Sequence, residues 1–151
     1  MLAVPWRDVV LAVFPAAGLA DGAPVAAIAA AQERLGQVFP EDLASLLAES
    51  DGVRGDDELD VIWPVERIVR DNLEFRTVAD FRELYAPFDG LLFFGDNGGG
   101  DQFALVPGDP VRGVVVWDHE TDERRTVADG LADYLTRILV ADGDEWYAPT
   151  R

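Results

Sequence analysis

The chain of 151 residues contains no cysteine, no lysine, one histidine and two serines. The absence of cysteine excludes disulfide bonds, thiolate metal ligands and a cysteine nucleophile. Because His119 is the only histidine, a two-histidine metal site and a histidine relay are excluded as well. Ser45 and Ser50 lie in or beside a predicted helix, and neither stands in the glycine-flanked turn that presents a serine nucleophile. The sequence therefore lacks the residues on which several enzyme classes depend.

Basic residues are also scarce. The chain has 12 Arg against 29 Asp and Glu, and its net charge is -17. Charge of this sign repels nucleic acid and anionic membranes, and it attracts basic proteins in a way that weakens as salt rises. Acidity also keeps a protein soluble without any partner, and composition alone does not separate the two interpretations. The exclusive use of Arg, with abundant Ala, Gly, Val and Asp, is typical of a GC-rich bacterial gene.

Long uncharged apolar runs are absent too. No segment approaches the roughly 18 apolar residues that a membrane-spanning helix needs. Arg7 and Asp8 interrupt the apolar residues at the start of the chain, which also lack the basic leader of a signal peptide. We therefore expect a cytoplasmic protein that does not contact the membrane.

The length and composition predict a single folded domain over residues 1–151. Hydrophobic residues make up 49% of the chain and aromatic residues 10%, which is too apolar for a disordered protein. A chain of this size buries about 68–70% of its unfolded surface, which is enough for a substantial core. Residues 141–151 are acidic and predicted to fray, although Trp146 and Tyr147 could dock this tail.

Apolar spacing predicts helices, and β-branched or aromatic runs between turn residues predict strands. Prolines precede or open several of the helical patterns. The predicted helices cover residues 5–15 (a helix or turn), 24–35, 40–51, 64–73 and 127–140. The predicted strands cover 59–63, 91–94, 102–106 and 114–117, while 51–60 is predicted to be a solvated loop and 76–89 is left open. The order predicts an α+β fold, a single two-layer domain with a small, mainly antiparallel sheet and helices packed against it.

Residues 96–101 form a glycine turn between two predicted strands. Its three consecutive glycines, 98–100, can adopt positive φ angles, and Asp96, Asn97 and Asp101 can cap the free N–H groups of the turn. Glycine-rich turns also bind phosphate, but this one lacks a following Lys-Ser/Thr pair, is flanked by acids and leads into a strand instead of a helix. The pattern favours a tight hairpin over a phosphate site.

Two carboxylate-rich turns are the best candidates for metal chemistry. They supply the oxygen donors that Ca²⁺ and Mg²⁺ prefer. The donors are Asp96, Asn97, Asp101, Asp118 and Glu120. Their spacing lacks the alternating acids and terminal Glu of a calcium-binding loop, so we expect no metal, although a metal-dependent hydrolase remains an alternative.

His119 could act as a general base beside Asp118 and Glu120. A histidine at a strand end more commonly caps or packs, and we expect that structural role. Arg67, Arg70, Arg124 and Arg125 occur as two local pairs, which we expect to bind neighbouring acids instead of nucleic acid. The four tryptophans are predicted to pack in the core. We expect no catalytic residue and no cofactor.

Three groups of residues, taken in order, resemble the SUKH superfamily. The resemblance covers roughly residues 30 to 140, and its first group departs from the usual pattern by carrying Phe39 where leucine is more common. The first group is Leu35-Gly36, Phe39-Pro40, Leu43 and Asp51-Gly52; the second is Gly95, Asp96, Gly99, Gly100, Asp101 and Phe103; the third is Asp118-His119-Glu120. Members of this superfamily include fungal cell-wall assembly regulators and bacterial immunity proteins that neutralise toxins.

The resemblance implies a non-catalytic protein-binding module. Its bacterial branch implies an immunity protein against a toxin of the nuclease or deaminase type. Together with the net charge of -17, this makes binding and blocking of a basic toxin domain the main hypothesis. Its eukaryotic branch implies a regulatory or scaffolding protein with an endogenous partner, and the sequence does not separate the two. From local charge density, the expected partner-binding residues are Asp56, Asp57, Glu58, Asp60, Asp96, Asp101, Asp118 and Glu120. The sequence gives no information on oligomeric state.

Overall fold

In the computed structural model, residues 4–88, 90–141 and 146–147 are described. Short strands lie between helices in the first part of the chain, and four consecutive strands precede the last helix. The helices are α1 (Trp6–Val13), α2 (Val25–Leu35), α3 (Glu41–Glu49), α4 (Val65–Thr77), α5 (Ala79–Leu84) and α6 (Leu131–Val140). The strands are β1 (Gly18–Leu19), β2 (Val53–Arg54), β3 (Asp60–Ile62), β4 (Leu92–Asp96), β5 (Gln102–Leu105), β6 (Val114–Trp117) and β7 (Arg124–Ala128). The predicted α+β class is confirmed.

Four helices begin directly after a proline. Pro5, Pro24, Pro40 and Pro64 each hold the N-cap position in an extended conformation, and their carbonyls accept the first helical N–H bonds. At the other end of α2, Gly36 adopts a φ of 64° and closes the helix, as the sequence predicts. These residues explain why the helix starts could be predicted from the sequence.

The strands form two antiparallel sheets within the described residues. The first has the order β1-β2-β3 and the second the order β4-β5-β6-β7. One backbone hydrogen bond, from Trp63 N to Phe94 O at 2.7 Å, connects the segment after β3 to β4. The predicted loop over 51–60 is therefore partly wrong, because it contains β2 and a 3₁₀ turn at Asp56–Glu58.

The second sheet is buried on both faces, which explains the continuous apolar runs of its central strands. On one face Phe93 and Trp117 pack against Phe75 of α4. On the other face Phe94 and Phe103 each pack against Tyr134 of α6, with ring centroids 5.0 Å apart.

The predicted helix over 127–140 begins too early. Residues 124–128 instead form β7, which pairs with β6 and places Thr126 opposite Val115. Gly130 then separates this strand from α6, which begins at Leu131. The β-branched Thr126 and Val127 fit a strand, and pairing protects the apolar β6 from becoming an exposed edge.

The predicted frayed tail over 141–151 falls mostly outside the described residues. Trp146 and Tyr147 are described, and both contact the core. The Trp146 ring stacks on Phe103 with centroids 5.6 Å apart, and Tyr147 meets the same ring edge-on.

Candidate functional site

The glycine turn is closed by the side chain of Asn97. Its Oδ1 accepts hydrogen bonds from Gly99 N at 2.7 Å and from Asp101 N at 3.1 Å. Gly98 and Gly100 have φ angles of 82° and 115°, a region that favours glycine. The turn is therefore a tight hairpin connection between β4 and β5, as the sequence predicts.

The 118–122 turn is closed in a similar way by Asp118. Its Oδ1 accepts hydrogen bonds from the N–H groups of Glu120 and Thr121, at 2.9 and 3.3 Å. Asp122, the last residue of the turn, accepts hydrogen bonds from Trp117 Nε1 and from the Arg124 guanidinium. The carboxylate of Asp118 thus shapes the turn through its Oδ1 atom.

The two turns meet at His119 and Asp101. The distance from His119 Nδ1 to Asp101 Oδ1 is 2.7 Å, and the His119 backbone N–H donates to the same oxygen at 3.1 Å. The Tyr147 hydroxyl donates to Asp101 Oδ2 at 2.8 Å. The His119 ring also lies against Gly100, where a Cβ atom would come within 2.9 Å of it. His119 therefore has the expected packing and capping role.

These contacts move both pKa values. The hydrogen bond to Asp101 raises the pKa of His119 above its ordinary value of 6.5, and together with the negative charges of Asp101, Glu120 and Asp118 it outweighs the opposing effect of burial. Burial raises the pKa of Asp101, but the hydrogen bonds from His119 and Tyr147 outweigh it and leave that pKa below the ordinary 3.8. Both shifts favour the charged form of the group, so the contact favours opposite charges on His119 and Asp101.

The His119 contact predicts a pH dependence of stability. A folded-state pKa above 6.5 stabilises the protein below pH 6.5, and this contribution is lost as pH rises through the folded value. In tag-free protein, we expect the imidazole resonance of the single histidine to titrate above 6.5 and to return toward 6.5 in Asp101→Asn. The free energy of unfolding should fall over the same range in the wild type but not in His119→Asn, which keeps a donor without the titration. An imidazole titrating at or below 6.5 in the wild type would contradict this contact.

Asp60 and Asp96 lie together around one arginine. Arg67 contacts Asp60 at 3.2 Å, Asp71 at 3.0 Å and Asp96 at 3.7 Å. Asp96 also accepts a hydrogen bond from Trp63 Nε1 at 3.0 Å, and the Arg67 guanidinium lies 4.3 Å from the Trp63 ring. The expectation that Arg67 binds neighbouring acids is confirmed, and the carboxylates of Asp60 and Asp96 are engaged by this cation within the fold.

The 3₁₀ turn at Asp56–Glu58 carries three of the expected partner-binding residues. Asp56, Asp57 and Glu58 are all exposed. Glu58 pairs with Arg54 at 2.9 Å, but both side chains are at least half exposed, so water screens this pair. Within the described residues, no ion pair or side-chain hydrogen bond engages the carboxylates of Asp56 and Asp57.

The structure places this acidic turn beside the glycine turn. A Cβ atom on Gly98 would lie 3.4 Å from Leu59 Cδ1, so the two segments are neighbours. Glu120 is exposed on the nearby 118–122 turn. Asp56, Asp57 and Glu120 therefore remain available to a partner, whereas Asp60, Asp96, Asp101 and Asp118 are engaged by the protein's own groups.

Among the described residues, one cluster has the composition of a metal site. Asp101, Asp118 and His119 can each place a donor atom within 4.8 Å of the others. However, Asp101 Oδ1 is held by His119 and Asp118 Oδ1 is held by two backbone N–H groups. These hydrogen bonds give both carboxylates a role within the fold, so the geometry favours a structural cluster.

Sequence reasoning missed the contact of Tyr147 with Asp101 and the structural role of Asn72. Tyr147 lies 46 residues from Asp101, and no local pattern links them. Asn72 is 1% exposed on the apolar face of α4 and hydrogen-bonds the backbone of Phe93. A polar residue four positions after Ile68, on an otherwise apolar helix face, is the signal that could have revealed it.

The model of the SMI1 / KNR4 family (SUKH-1) matches residues 22–137. This range contains the glycine turn, the acidic 3₁₀ turn and the His119 contact. No curated protein matches the chain. Within residues 4–88, 90–141 and 146–147, no helix has the length and apolar character needed to cross a membrane.

Proposed function

Because the chain belongs to the SMI1 / KNR4 (SUKH-1) family, we propose that it is an immunity protein that neutralises a basic bacterial toxin domain. Membership supports a protein-binding module of the immunity or regulatory kind, and the family is generally non-catalytic. The observation that favours a basic partner is the net charge of -17 together with an exposed acidic turn. A nuclease or deaminase toxin in the cytoplasm, with a basic substrate cleft, fits this surface.

The proposed mechanism is steric occlusion guided by charge. The acidic field draws the basic toxin toward the protein, which raises the association rate at low salt. Asp56, Asp57, Glu58 and Glu120 then occupy positions that phosphate groups of the substrate would take. No bond is made or broken, so the mechanism requires only that the complex cover the toxin's cleft.

Affinity capture of tagged protein from its own cells, followed by neutralisation of the captured partner, tests this proposal. We expect a basic protein with a toxic domain to be retained at low salt and lost at high salt. Expression of that domain should stop growth, and co-expression of this chain should restore it. Capture of endogenous envelope or signalling proteins, without any toxic domain, would overturn the immunity function in favour of a regulatory one.

Neutralising the acidic turn tests its role in the complex. We expect Asp56→Asn/Asp57→Asn/Glu58→Gln to weaken toxin binding on the order of tenfold at low salt, mainly through slower association. Surface plasmon resonance at two salt concentrations measures the effect, which should shrink at high salt.

A matched variant separates local charge from total charge. Glu33→Gln/Asp80→Asn/Glu83→Gln removes the same number of charges from exposed positions on α2 and α5. If both triple variants weakened binding equally, only the total charge would matter and the acidic turn would lose its assigned role.

A further inference from the structure

An open cleft of about 420 Å³ lies at the end of the second sheet farthest from the glycine turn. Three segments form it: the start of α3, the connection between β5 and β6, and the junction of β7 with α6. Because the strands run antiparallel, the glycine turn and the 118–122 turn lie at the other end of the same sheet. The cleft is therefore distinct from the surface that charge density in the sequence predicts.

The interior of the cleft is largely apolar. Its lining includes two prolines, Pro40 and Pro110, and the side chains of Leu105, Val106 and Leu131. Beside it, Val111 is 93% exposed, which is the greatest exposure among the large hydrophobic residues described. This lining suits the aliphatic part of an inserted side chain.

The rim of the cleft carries charge of one sign. Glu41, Asp42, Asp109 and Asp129 line it, all four are exposed, and no arginine lines it. In the described part of the chain, their carboxylates form no ion pair and no side-chain hydrogen bond. They contrast with Asp60 and Asp96, whose charges Arg67 compensates.

Stabilisation of a helix end explains the position of only some of these four carboxylates. Glu41 and Asp42 lie in the first turn of α3, where carboxylates favour the helix N-terminus. Asp109 precedes a short 3₁₀ turn but makes no capping hydrogen bond to it. Gly130 holds the N-cap position of α6, and the carboxylate of the preceding Asp129 makes no capping hydrogen bond.

We propose that this cleft receives a basic side chain, arginine or lysine, from the protein partner. The aliphatic stem would lie on the apolar interior, and the cationic head would lie among the four carboxylates. Val111 and Pro110 would contact the residues that flank the inserted side chain. The inference rests on the proposed function, because a basic protein partner supplies the side chain.

The acidic turn and the cleft then have different roles in binding. The acidic turn, on the far end of the sheet, acts over distance and increases the rate of association. The cleft holds a side chain in a largely apolar pocket and slows dissociation, since a few buried anchors usually dominate an interface.

Short capped peptides test the cleft without the toxin. The probes are acetyl-Gly-Arg-Gly-amide, its lysine analogue and its citrulline analogue, which has nearly the shape of arginine but no charge. We expect the arginine or lysine peptide to shift the backbone amide resonances of Gly108, Gly113 and Gly130 in a saturable manner. The citrulline peptide should leave them in place.

Two variants locate the site. Asp109→Asn/Asp129→Asn should weaken peptide binding at least about fivefold, whereas Asp56→Asn/Asp57→Asn on the acidic turn should leave it unchanged. Two results would overturn the assignment of the cleft as a binding site. One is a set of resonance shifts that spreads over all acidic surfaces without saturation, and the other is equal peptide affinity in both variants. The peptides test the cleft alone. They can therefore show that the cleft binds no basic side chain even if the chain neutralises a toxin, and they can show binding to the cleft even if it neutralises none.

Discussion

Replacing Asn72 by aspartate is expected to lower the free energy of unfolding by about 3 kcal/mol or more at neutral pH. The Asn72 amide nitrogen donates to Ile68 O at 2.7 Å and to Phe93 O at 2.8 Å, and its oxygen accepts Phe93 N at 2.9 Å. An aspartate would direct a carboxylate oxygen at two carbonyls in a site that is 1% exposed. The same substitution removes one of the two hydrogen bonds that fix α4 to β4, the one that Asn72 donates to Phe93 O.

Urea unfolding of Asn72→Asp at several pH values measures this effect. Protonation of the new carboxyl restores one donor, so the loss of stability should be smaller at acidic pH. Glu74→Gln, an isosteric change at an exposed position of α4, should alter stability by no more than about 0.5 kcal/mol. A loss below about 1 kcal/mol in Asn72→Asp would show that the buried hydrogen bonds are not needed to join helix and strand.

The parts of the fold that the sequence predicted correctly depend on local chemistry. Proline before a helix and glycine after α2 act within one turn of the backbone, so their effect is visible in the sequence. Strands β4, β5 and β6 are dense in aromatic and β-branched residues and are joined by short loops. The SUKH pattern, carried by such positions, is confirmed by the family match over residues 22–137.

The parts that could not be predicted depend on distant residues. Strands β1 and β2 have two residues each, and their pairing joins Leu19 to Val53 across the two intervening helices. Runs of that length carry no periodic signal. The start of α6 was misplaced because Val127 fits either a helix or a strand until β6 supplies a partner.

Charge density along the chain was an incomplete guide to the candidate surface. It identified Asp56, Asp57 and Glu58 because these residues are adjacent, and they are exposed in the structure. It could not show that Arg67 compensates Asp60 and Asp96 or that Asp101 is held by His119 and Tyr147, since these contacts depend on the folded chain. Nor could it find the cleft, whose four carboxylates come from three separate segments.

Gly95→Ala is expected to have the largest effect of the single substitutions, a loss of stability on the order of 4 kcal/mol. Gly95 follows an irregularity in the pairing of β4 with β5. A Cβ atom at this position would lie 2.3 Å from Val61 O and 2.8 Å from the Tyr134 hydroxyl oxygen. The carbonyl is backbone of β3 and cannot rotate away, so the two sheets would have to separate.

Separation of the two sheets would break hydrogen bonds and would therefore cost stability. Tyr134 donates to Val61 O at 2.6 Å, and Trp63 N donates to Phe94 O at 2.7 Å. Burial raises the pKa of Tyr134 well above 10.0, so its hydroxyl stays protonated and available as a donor. Sequence reasoning assigned Gly95 to the family pattern, and the structure supplies the physical reason, which is the close approach of β3 to β4.

Thermal and urea unfolding of Gly95→Ala and Gly99→Ala provides the matched comparison. Gly99 lies four residues away without a positive φ, and a Cβ there would come no nearer than 3.6 Å to other atoms, so Gly99→Ala should cost less than about 0.5 kcal/mol. Adding Tyr134→Phe to Gly95→Ala removes the hydroxyl but leaves the carbonyl clash, and it should not restore stability. Recovery of stability in that double variant would show that the clash with the tyrosine hydroxyl causes the destabilisation. An unchanged stability in Gly95→Ala would mean that β3 and β4 do not approach as closely as the Val61 contact requires.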